Sequence, residues 1–205
     1  ALDSTSLLAL EILPKSLIFM GAGYIGVELA QMMRRMGVKV TLVTRSHLLL
    51  GAEPEVSQAL ADAFSAEGIT LLTGLSYDSV RRDAAGVTLR IMQGGEPVEV
   101  TADHLVSTAG RRANTGGLGL EDIGVKTDAR GSIVTRDDMQ TTVPGIYAAG
   151  DVTDRDQFVY MAAYGAKLAA KNAVLGDDQR YDNSAMPWVV FSDPQVAGVG
   201  LSEQQ

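Results

Sequence analysis

Cysteine is absent from this sequence of 205 residues. Its absence excludes, within these residues, disulfide bonds, zinc–thiolate sites, iron–sulfur clusters and catalysis by a cysteine nucleophile. A chain of this length buries roughly 70% of the surface that its unfolded form exposes. It can therefore form a hydrophobic core without covalent or metal cross-links.

Basic residues are also scarce, since 17 Lys and Arg stand against 25 Asp and Glu, which gives a formal net charge of −8. A net-negative surface repels phosphates, which argues against nucleic acid and anionic membranes as partners. No apolar run approaches the roughly 20 residues that span a bilayer, and the chain opens without the layout of a signal peptide. The apolar content of 46% is typical of a globular protein, and we expect a cytoplasmic location.

Both ends of the sequence resemble cut points. The first residue is Ala1 rather than Met. Near the other end, Ser202 is a typical helix N-cap, which predicts that a helix begins over residues 203–205. We therefore expect the sequence to be a piece of a longer protein.

The first part of the sequence alternates predicted strands and helices. Short apolar runs predict buried strands at Ser16–Met20, Lys39–Val43 and residues 69–73. Helical spacing of apolar residues predicts a helix over residues 24–36, and a second helix begins at Pro54 and ends before Gly68. This β-α-β-α-β order implies a parallel sheet with right-handed crossovers.

The pattern then changes to a period of two. Apolar residues alternate with polar ones over residues 87–91 and 98–102, on either side of Gly94-Gly95. This predicts an antiparallel hairpin, after which the chain returns to a buried strand over residues 104–108. The predicted fold class is α/β: a Rossmann-like parallel sheet with an antiparallel β-meander insert.

The rest of the chain is less regular. Residues 110–131 are rich in glycine and weakly patterned, which indicates a crossing between domains. Short strands are predicted at residues 132–135 and 145–148, followed by a helix over residues 158–175. Gly165 within that helix indicates close packing against other backbone.

A glycine motif follows the first predicted strand. Gly21-Ala22-Gly23-Tyr24-Ile25-Gly26 matches G-x-G-x-x-G and opens an amphipathic helix. In this context Gly21 permits a tight turn, Gly23 lets a pyrophosphate approach the backbone, and Gly26 lets helix and strand pack closely. The helix N-terminus offers N–H groups and a partial positive charge to the phosphates. The motif therefore predicts a dinucleotide site.

The end of the second strand indicates which dinucleotide binds. NAD-binding versions of this fold place a carboxylate about 20 positions after the glycines. Here the strand ends in Val43-Thr44-Arg45-Ser46-His47, without a carboxylate. Arg45 can pair with a 2′-phosphate through charge-assisted hydrogen bonds, with Ser46 and His47 as further contacts. This favours NADPH over NADH; the alternative for Arg45 is a solvated loop arginine.

Residues 141–151, Thr-Thr-Val-Pro-Gly-Ile-Tyr-Ala-Ala-Gly-Asp, resemble the second flavin fingerprint of the pyridine-nucleotide–disulfide oxidoreductases. By that resemblance, Asp151 hydrogen-bonds the ribityl chain of FAD. Residues 108–114 resemble the junction A-T-G-R-x-P-N of the same family, at which the chain leaves the NAD(P)-binding domain. Ala113 stands at the proline position of that junction, and Gly110 is assigned to the cofactor site.

Residues 21–28 also resemble the nucleotide motif G-x-G-Y-I-x-x-E of this family. The resemblance implies that Tyr24 covers the nicotinamide pocket and moves when NADPH enters. Ile25 belongs to the same cofactor-binding turn. By the same resemblance, Glu28 pairs with a lysine of the flavin domain beside the isoalloxazine; a solvated helix carboxylate is the alternative.

Within the family, residues 157–163 and 185–197 resemble the mercuric reductase branch, in its flavin-facing helix and in the entry to its dimerisation domain. This implies that the backbone N–H of Val159 lies near the flavin pyrimidine edge, where a helix N-terminus stabilises negative charge on reduced flavin. One departure weakens the NADPH assignment: Gly51 stands where a second arginine of the 2′-phosphate loop is expected.

Four segments follow from this resemblance. Residues 1–13 are an incoming linker from the FAD domain, and residues 14–110 are the NAD(P)H-binding domain. Residues 111–184 are the second segment of a split FAD-binding domain, and residues 185–205 begin a C-terminal dimerisation domain. The expected cofactors are NADPH, with NADH less favoured, and FAD in the intact protein. The expected partners are the rest of the same chain and a second copy.

The implied reaction of the intact protein passes electrons from NADPH to FAD, then to a dithiol and on to Hg(II). The redox dithiol and the His–Glu pair of the family lie outside these residues, so no catalytic residue and no metal site is assigned. We expect the isolated chain to be catalytically inert and free of flavin. The alternatives are a dihydrolipoamide dehydrogenase, a glutathione-reductase-like enzyme, and a dinucleotide-sensing module without catalysis.

Overall fold

A computed structural model of the chain describes residues 1–176 and 179–202. It contains two compact units. The first comprises Ala1–Gly110 together with Val189–Ala197, and the second comprises Arg111–Trp188 and the residues from Gly198 onward. The helix predicted to begin over residues 203–205 lies outside the described residues.

The described elements follow one another in the chain as α1 (Ser4–Leu8), β1 (Ser16–Met20), α2 (Tyr24–Arg35), β2 (Lys39–Val43), α3 (Pro54–Ala66), β3 (Thr70–Leu72), β4 (Leu75–Asp83), β5 (Gly86–Gln93), β6 (Glu96–Ala102), β7 (His104–Ser107), a 3-10 turn (Asp151–Thr153), α4 (Val159–Leu175), β8 (Pro187–Val190) and β9 (Val196–Val199).

The first unit is built on a parallel sheet with the strand order β3-β2-β1-β7. Side chains alternate between the two faces of each strand. Ile18 belongs to the core between this sheet and the meander, while the buried Phe19 points to the opposite face. The right-handed crossovers place α2 and α3 on that opposite face. The predicted α/β fold class is confirmed.

The meander is the antiparallel sheet β4-β5-β6, and it packs on the other face of the parallel sheet. The predicted hairpin corresponds to β5 and β6. Strand β4 was not predicted, because most of its residues are exposed and a β-bulge between Tyr77 and Ser79 interrupts the alternation. The shared core consists of Ile18, Val43, Leu75, Val87, Leu89, Ile91, Ala102 and Leu105.

Residues 1–13 contain ordered structure that the sequence analysis did not predict. The short helix α1 begins with a capping box, in which Asp3 and Ser6 satisfy each other's backbone N–H groups. Just before it, Leu2 forms a parallel bridge with Val106 at the end of the sheet. Buried Leu7 attaches this helix to the first unit.

The two short strands predicted in the second unit are wrong. Residues 132–135 and 145–148 form single bridges, such as Thr135 with Thr141 and Gln140 with Tyr147, rather than strands. A tight turn from Arg136 to Gln140 joins the two residues of the Thr135–Thr141 bridge, and none of these bridges extends into a ladder. Gly165 of α4 does pack closely, but a Cβ there would meet side chains, 3.3 Å from the Tyr181 ring, rather than backbone.

The remaining strands, β8 and β9, pair with each other as a two-stranded sheet. In residues 1–176 and 179–202, no helix combines the length and the apolar composition that crossing a membrane requires.

Candidate dinucleotide site

The turn between β1 and α2 depends on two glycines for its shape. Gly21 has a φ of +111°, and a Cβ at this position would lie 2.7 Å from the carbonyl oxygen of Thr108. A Cβ on Gly26 would overlap the carbonyl oxygen of Gly21. Both glycines are therefore required by the packing of the chain itself.

Gly23 differs from its two neighbours in the motif. Its backbone angles, φ −78° and ψ −173°, are open to any residue, and a Cβ there would meet no described atom within 4 Å. Folding therefore does not explain this glycine, which leaves its backbone open to close approach, as the second glycine of dinucleotide-binding turns does. Gly23 is also the N-cap of α2 and offers no side chain to the N–H groups of the first turn, which favours an anion at that position.

Thr108 fixes the end of β1 beside the glycine turn. Its hydroxyl donates to the carbonyl oxygens of Gly21, at 2.8 Å, and of Met20, at 3.2 Å. Its backbone N–H also donates to the Met20 carbonyl, at 2.9 Å. Thr108 was predicted only as part of a junction motif, because its contacts are with residues far away along the chain.

A pocket of about 290 Å³ opens at the carboxyl ends of β1, β2 and β7. Ligands of open α/β sheets bind at this edge. It brings together six of the predicted residues, Gly21, Gly23, Arg45, Ser46, His47 and Gly110. The remaining lining residues are Ala22, Thr44, Leu50, Tyr77, Thr108 and Ala109.

The loop after β2 is anchored by buried leucines and exposes the predicted anion ligands. Leu48 and Leu49 are buried, and the N–H of Leu49 donates to the carbonyl of Ala22 at 2.9 Å. Arg45 and His47 are exposed, and Arg45 has no carboxylate partner among the described residues. An unpaired guanidinium beside a glycine turn is suited to an additional phosphate.

Tyr77 of β4 lines the same pocket, and the sequence analysis did not single it out. The residue is half-buried, and its hydroxyl donates to the carbonyl of Val43 at 3.2 Å. Burial raises the pKa of the Tyr77 phenol, while the positive charge of Arg45 acts in the opposite direction. The phenol is therefore a hydrogen-bond donor at neutral pH.

Three further predicted residues lie on α2 outside this pocket. Tyr24, Ile25 and Glu28 are half-buried, and burial raises the pKa of the Tyr24 phenol. Glu28 has a partner in the fold, since its Oε1 accepts a hydrogen bond from the backbone N–H of Phe191 at 2.8 Å.

The predicted flavin contacts belong to the second unit. Asp151 is exposed, and its Oδ2 accepts a 2.7 Å hydrogen bond from Arg111. The same guanidinium donates to the carbonyl of Gln157 at 2.6 Å, which holds the Asp151 turn beside the start of α4. Val159 is the first residue of α4, and the N-cap Phe158 contributes no capping side chain.

A parallel sheet with a glycine turn at its carboxyl edge and a packed meander is a nucleotide-binding fold of the flavoprotein disulfide reductase type. The family model described as pyridine nucleotide-disulphide oxidoreductase matches residues 1–170. The chain belongs to that family, as the sequence motifs predicted. Proteins of the family use FAD and NAD(P)H and act as homodimers.

Individual relatives agree with this assignment. The chain is 43% identical over 204 residues to the mercuric reductase of Streptomyces lividans, matching all of this chain and 43% of that protein. It is 38% identical over 205 residues to the dihydrolipoyl dehydrogenase of Geobacillus stearothermophilus, again matching 100% of this chain and 43% of the relative. The HOCl-induced flavoprotein disulfide reductase RclA from Escherichia coli has a TM-score of 0.87 at 30% identity, over 99% of this chain and 46% of that one. The chain thus spans less than half the length of these relatives.

Proposed function

We propose that this chain supplies the NADPH site and part of the FAD site of a flavoprotein oxidoreductase, and that Hg(II) is the terminal electron acceptor of the intact protein. The observation that carries the nucleotide site is the open space at Gly23. A glycine that the fold does not need stands where a helix offers its N–H groups to an anion.

Each part of the pocket has a task in this proposal. The N–H groups at the start of α2 bind the diphosphate, because the helix dipole and the orphan donors both favour negative charge there. Arg45 pairs with the 2′-phosphate, and Ser46 and His47 lie beside it. Gly110, which lines the pocket, leaves room for the dinucleotide, Tyr24 covers its nicotinamide end, and Ile25 belongs to the same turn.

Two features of the second unit suit FAD. Asp151 uses Oδ2 for Arg111, which leaves Oδ1 to accept from a ribityl hydroxyl. The start of α4 at Val159 offers backbone N–H groups to negative charge on the flavin. When both cofactors are bound, NADPH supplies a hydride and FAD accepts it. We propose that Glu28, held by Phe191, lies at the flavin end of this path.

The assignment of Hg(II) is supported by the 43% identity to a mercuric reductase and by the absence of a carboxylate after β2. The 38% identity to a dihydrolipoyl dehydrogenase supports a disulfide substrate as the second candidate. A sensing module without catalysis is less well supported, because it gives no use to Asp151 and its arginine clamp. The four-segment domain assignment and the cytoplasmic location stay predictions, as does the lack of bound flavin in the isolated chain.

Substitution of Gly23 tests the nucleotide site. Gly23→Ala adds a methyl group that touches no described protein atom but stands in the path of the diphosphate. We expect the variant to melt slightly below the wild type, because alanine is a poorer N-cap than glycine, and to lose at least about tenfold in affinity for NADPH, measured by fluorescence titration of the cofactor at a temperature where both are folded. Gly116→Ala is the matched control, because its Cβ also enters open space outside the pocket. Unchanged binding by Gly23→Ala would refute the proposed site.

A further inference from the structure

The carbonyl oxygen of Val43 joins three parts of the first unit. It accepts the N–H of Gly21 at 2.9 Å and the hydroxyl of Tyr77 at 3.2 Å. On the other side of the same peptide, the N–H of Thr44 donates to the carbonyl of Leu72 at 2.9 Å. The peptide that follows the last residue of β2 is therefore fixed from the glycine turn, from the meander and from β3.

This fixed peptide restricts the position of the Arg45 backbone, from which the Arg45 side chain extends. Arg45 is the second residue after Val43, and its Cα follows the pinned peptide by only one further peptide unit. Both lone pairs of the Val43 carbonyl are used, so rotation of that peptide would break hydrogen bonds to two separate elements. The direction in which the chain leaves β2 is thereby restricted.

The β-bulge in β4 explains how Tyr77 reaches this carbonyl. Tyr77 pairs with Ile91 and Ser79 with Arg90, so Asp78 is the extra residue of the bulge. Tyr77 keeps its ring on the core shared by the two sheets, and the polar residues that follow are exposed. Bulges re-aim side chains in this way next to functional sites.

We propose that Tyr77 is a positioning residue for cofactor choice: its hydroxyl holds the end of β2 so that Arg45 is directed at the 2′-phosphate of NADPH. The proposal rests on the proposed function, because it assumes that the pocket binds a dinucleotide. It predicts that the Tyr77 hydroxyl affects NADPH and leaves NADH unaffected, since only NADPH carries the group that Arg45 binds.

The test is Tyr77→Phe in the 205-residue chain, with separate titrations of NADPH and NADH. The ring remains, so the core packing is kept. We expect the Kd for NADPH to rise about fivefold, as for the loss of one neutral hydrogen bond, and the Kd for NADH to stay within about twofold. Thr101→Val is the control, because it removes a hydroxyl that bonds to Thr88 in the same meander and outside the pocket.

A double-mutant cycle with Arg45→Ala separates positioning from general loosening of the fold. If Tyr77 acts through Arg45, Tyr77→Phe has no further effect on NADPH once Arg45 is gone. A full effect in the Arg45→Ala background, or equal weakening of both dinucleotides, overturns the proposal. A wild-type preference for NADPH that Arg45→Ala abolishes and Tyr77→Phe leaves intact overturns this inference alone. Failure of the wild-type chain to bind either dinucleotide overturns the proposed function as well.

Discussion

Gln31 of α2 pairs its side-chain amide with both backbone groups of Asp193. The N–H of Asp193 donates to Gln31 Oε1 at 2.8 Å, and Gln31 Nε2 donates to the Asp193 carbonyl at 2.7 Å. Gln31 is only 4% exposed, and Arg35, one turn further along α2, binds the Asp193 carboxylate at 2.7 Å. Helix α2 is thereby hydrogen-bonded to a segment that lies 162 residues away in the sequence.

Gln31→Met should destabilise the first unit, because it keeps the volume of the side chain and removes the buried amide that bonds to both backbone groups of Asp193. A hydrogen bond contributes about 0.5–1.5 kcal/mol, so we expect the loss of two to lower the free energy of unfolding in urea by about 1–3 kcal/mol. Gln58→Met on the exposed face of α3 is the control, with an expected change within about 0.5 kcal/mol. Equal changes in both variants would show that the Asp193 contact adds nothing to stability.

Arg45→Ala should weaken the binding of NADPH far more than that of NADH. A hydrogen bond to a charged group contributes about 1.5–3 kcal/mol, so the Kd for NADPH should rise about 10- to 150-fold. Isothermal titration with each cofactor measures the difference, and added salt should reduce it in the wild type. Arg82→Ala removes the same charge from an exposed site on β4 and should leave both affinities unchanged. Equal affinity of the wild type for the two cofactors would contradict the role of Arg45.

Thr108→Val should act differently from Tyr77→Phe. It removes the donor to the carbonyls of Gly21 and Met20, and so loosens the glycine turn that would hold the diphosphate of either cofactor. We expect a loss of about 1–2 kcal/mol in stability and similar weakening for NADPH and NADH. Thr108→Ser retains the hydroxyl and should restore most of the binding. A selective loss of NADPH would mean that Thr108 serves the 2′-phosphate loop instead.

The ion pair between Glu67 and Arg35 should make stability depend on acid pH. The Arg35 guanidinium, hydrogen-bonded to the carboxylate, lowers the pKa of Glu67 below its ordinary value of 4.5. A carboxyl group with a lowered folded-state pKa stabilises the fold above its unfolded pKa and loses this contribution as the pH falls through the folded value. We expect the free energy of unfolding of wild type to exceed that of Glu67→Gln near pH 6. This difference, measured by urea unfolding from about pH 6 to about pH 3, should shrink below about pH 4.5.

Glu55→Gln makes the same chemical change at an exposed position in the first turn of α3. The difference in free energy of unfolding between Glu55→Gln and wild type should vary less over the same pH range. If the Glu67→Gln difference stayed constant with pH, the ion pair would have no net effect on the folded state.

The parallel sheet could be predicted because its signals are local. Each strand is a short apolar run, and Gly68, with a φ of +80°, follows α3 in the second crossover as its position indicated. The glycine turn and Arg45 could be placed at the same edge because parallel strands share their carboxyl ends. Tyr77 could not, since it meets Val43 across 34 residues through a bulge that breaks the period of its strand.

Other contacts escaped prediction for a similar reason. In the sequence, Gln31 fits the polar face of α2, and no neighbouring residue indicates that it is buried against Asp193. The strands expected at residues 132–135 and 145–148 have the composition of strands but lack continuous pairing, which is a property of neighbours rather than of the segments themselves.

In the loop after β2, the residues that attach the loop to the fold are different from those that face solvent. Leu48 and Leu49 hold it to the turn at Ala22, while the side chains of Arg45 and His47 project into solvent. Exchanging the outer residues would leave the tether in place. If the pocket binds a pyridine nucleotide as proposed, its choice between NADPH and NADH can be changed by substitutions at exposed positions alone, and laboratory evolution confined to these few codons should yield such variants without compensating substitutions in the interior.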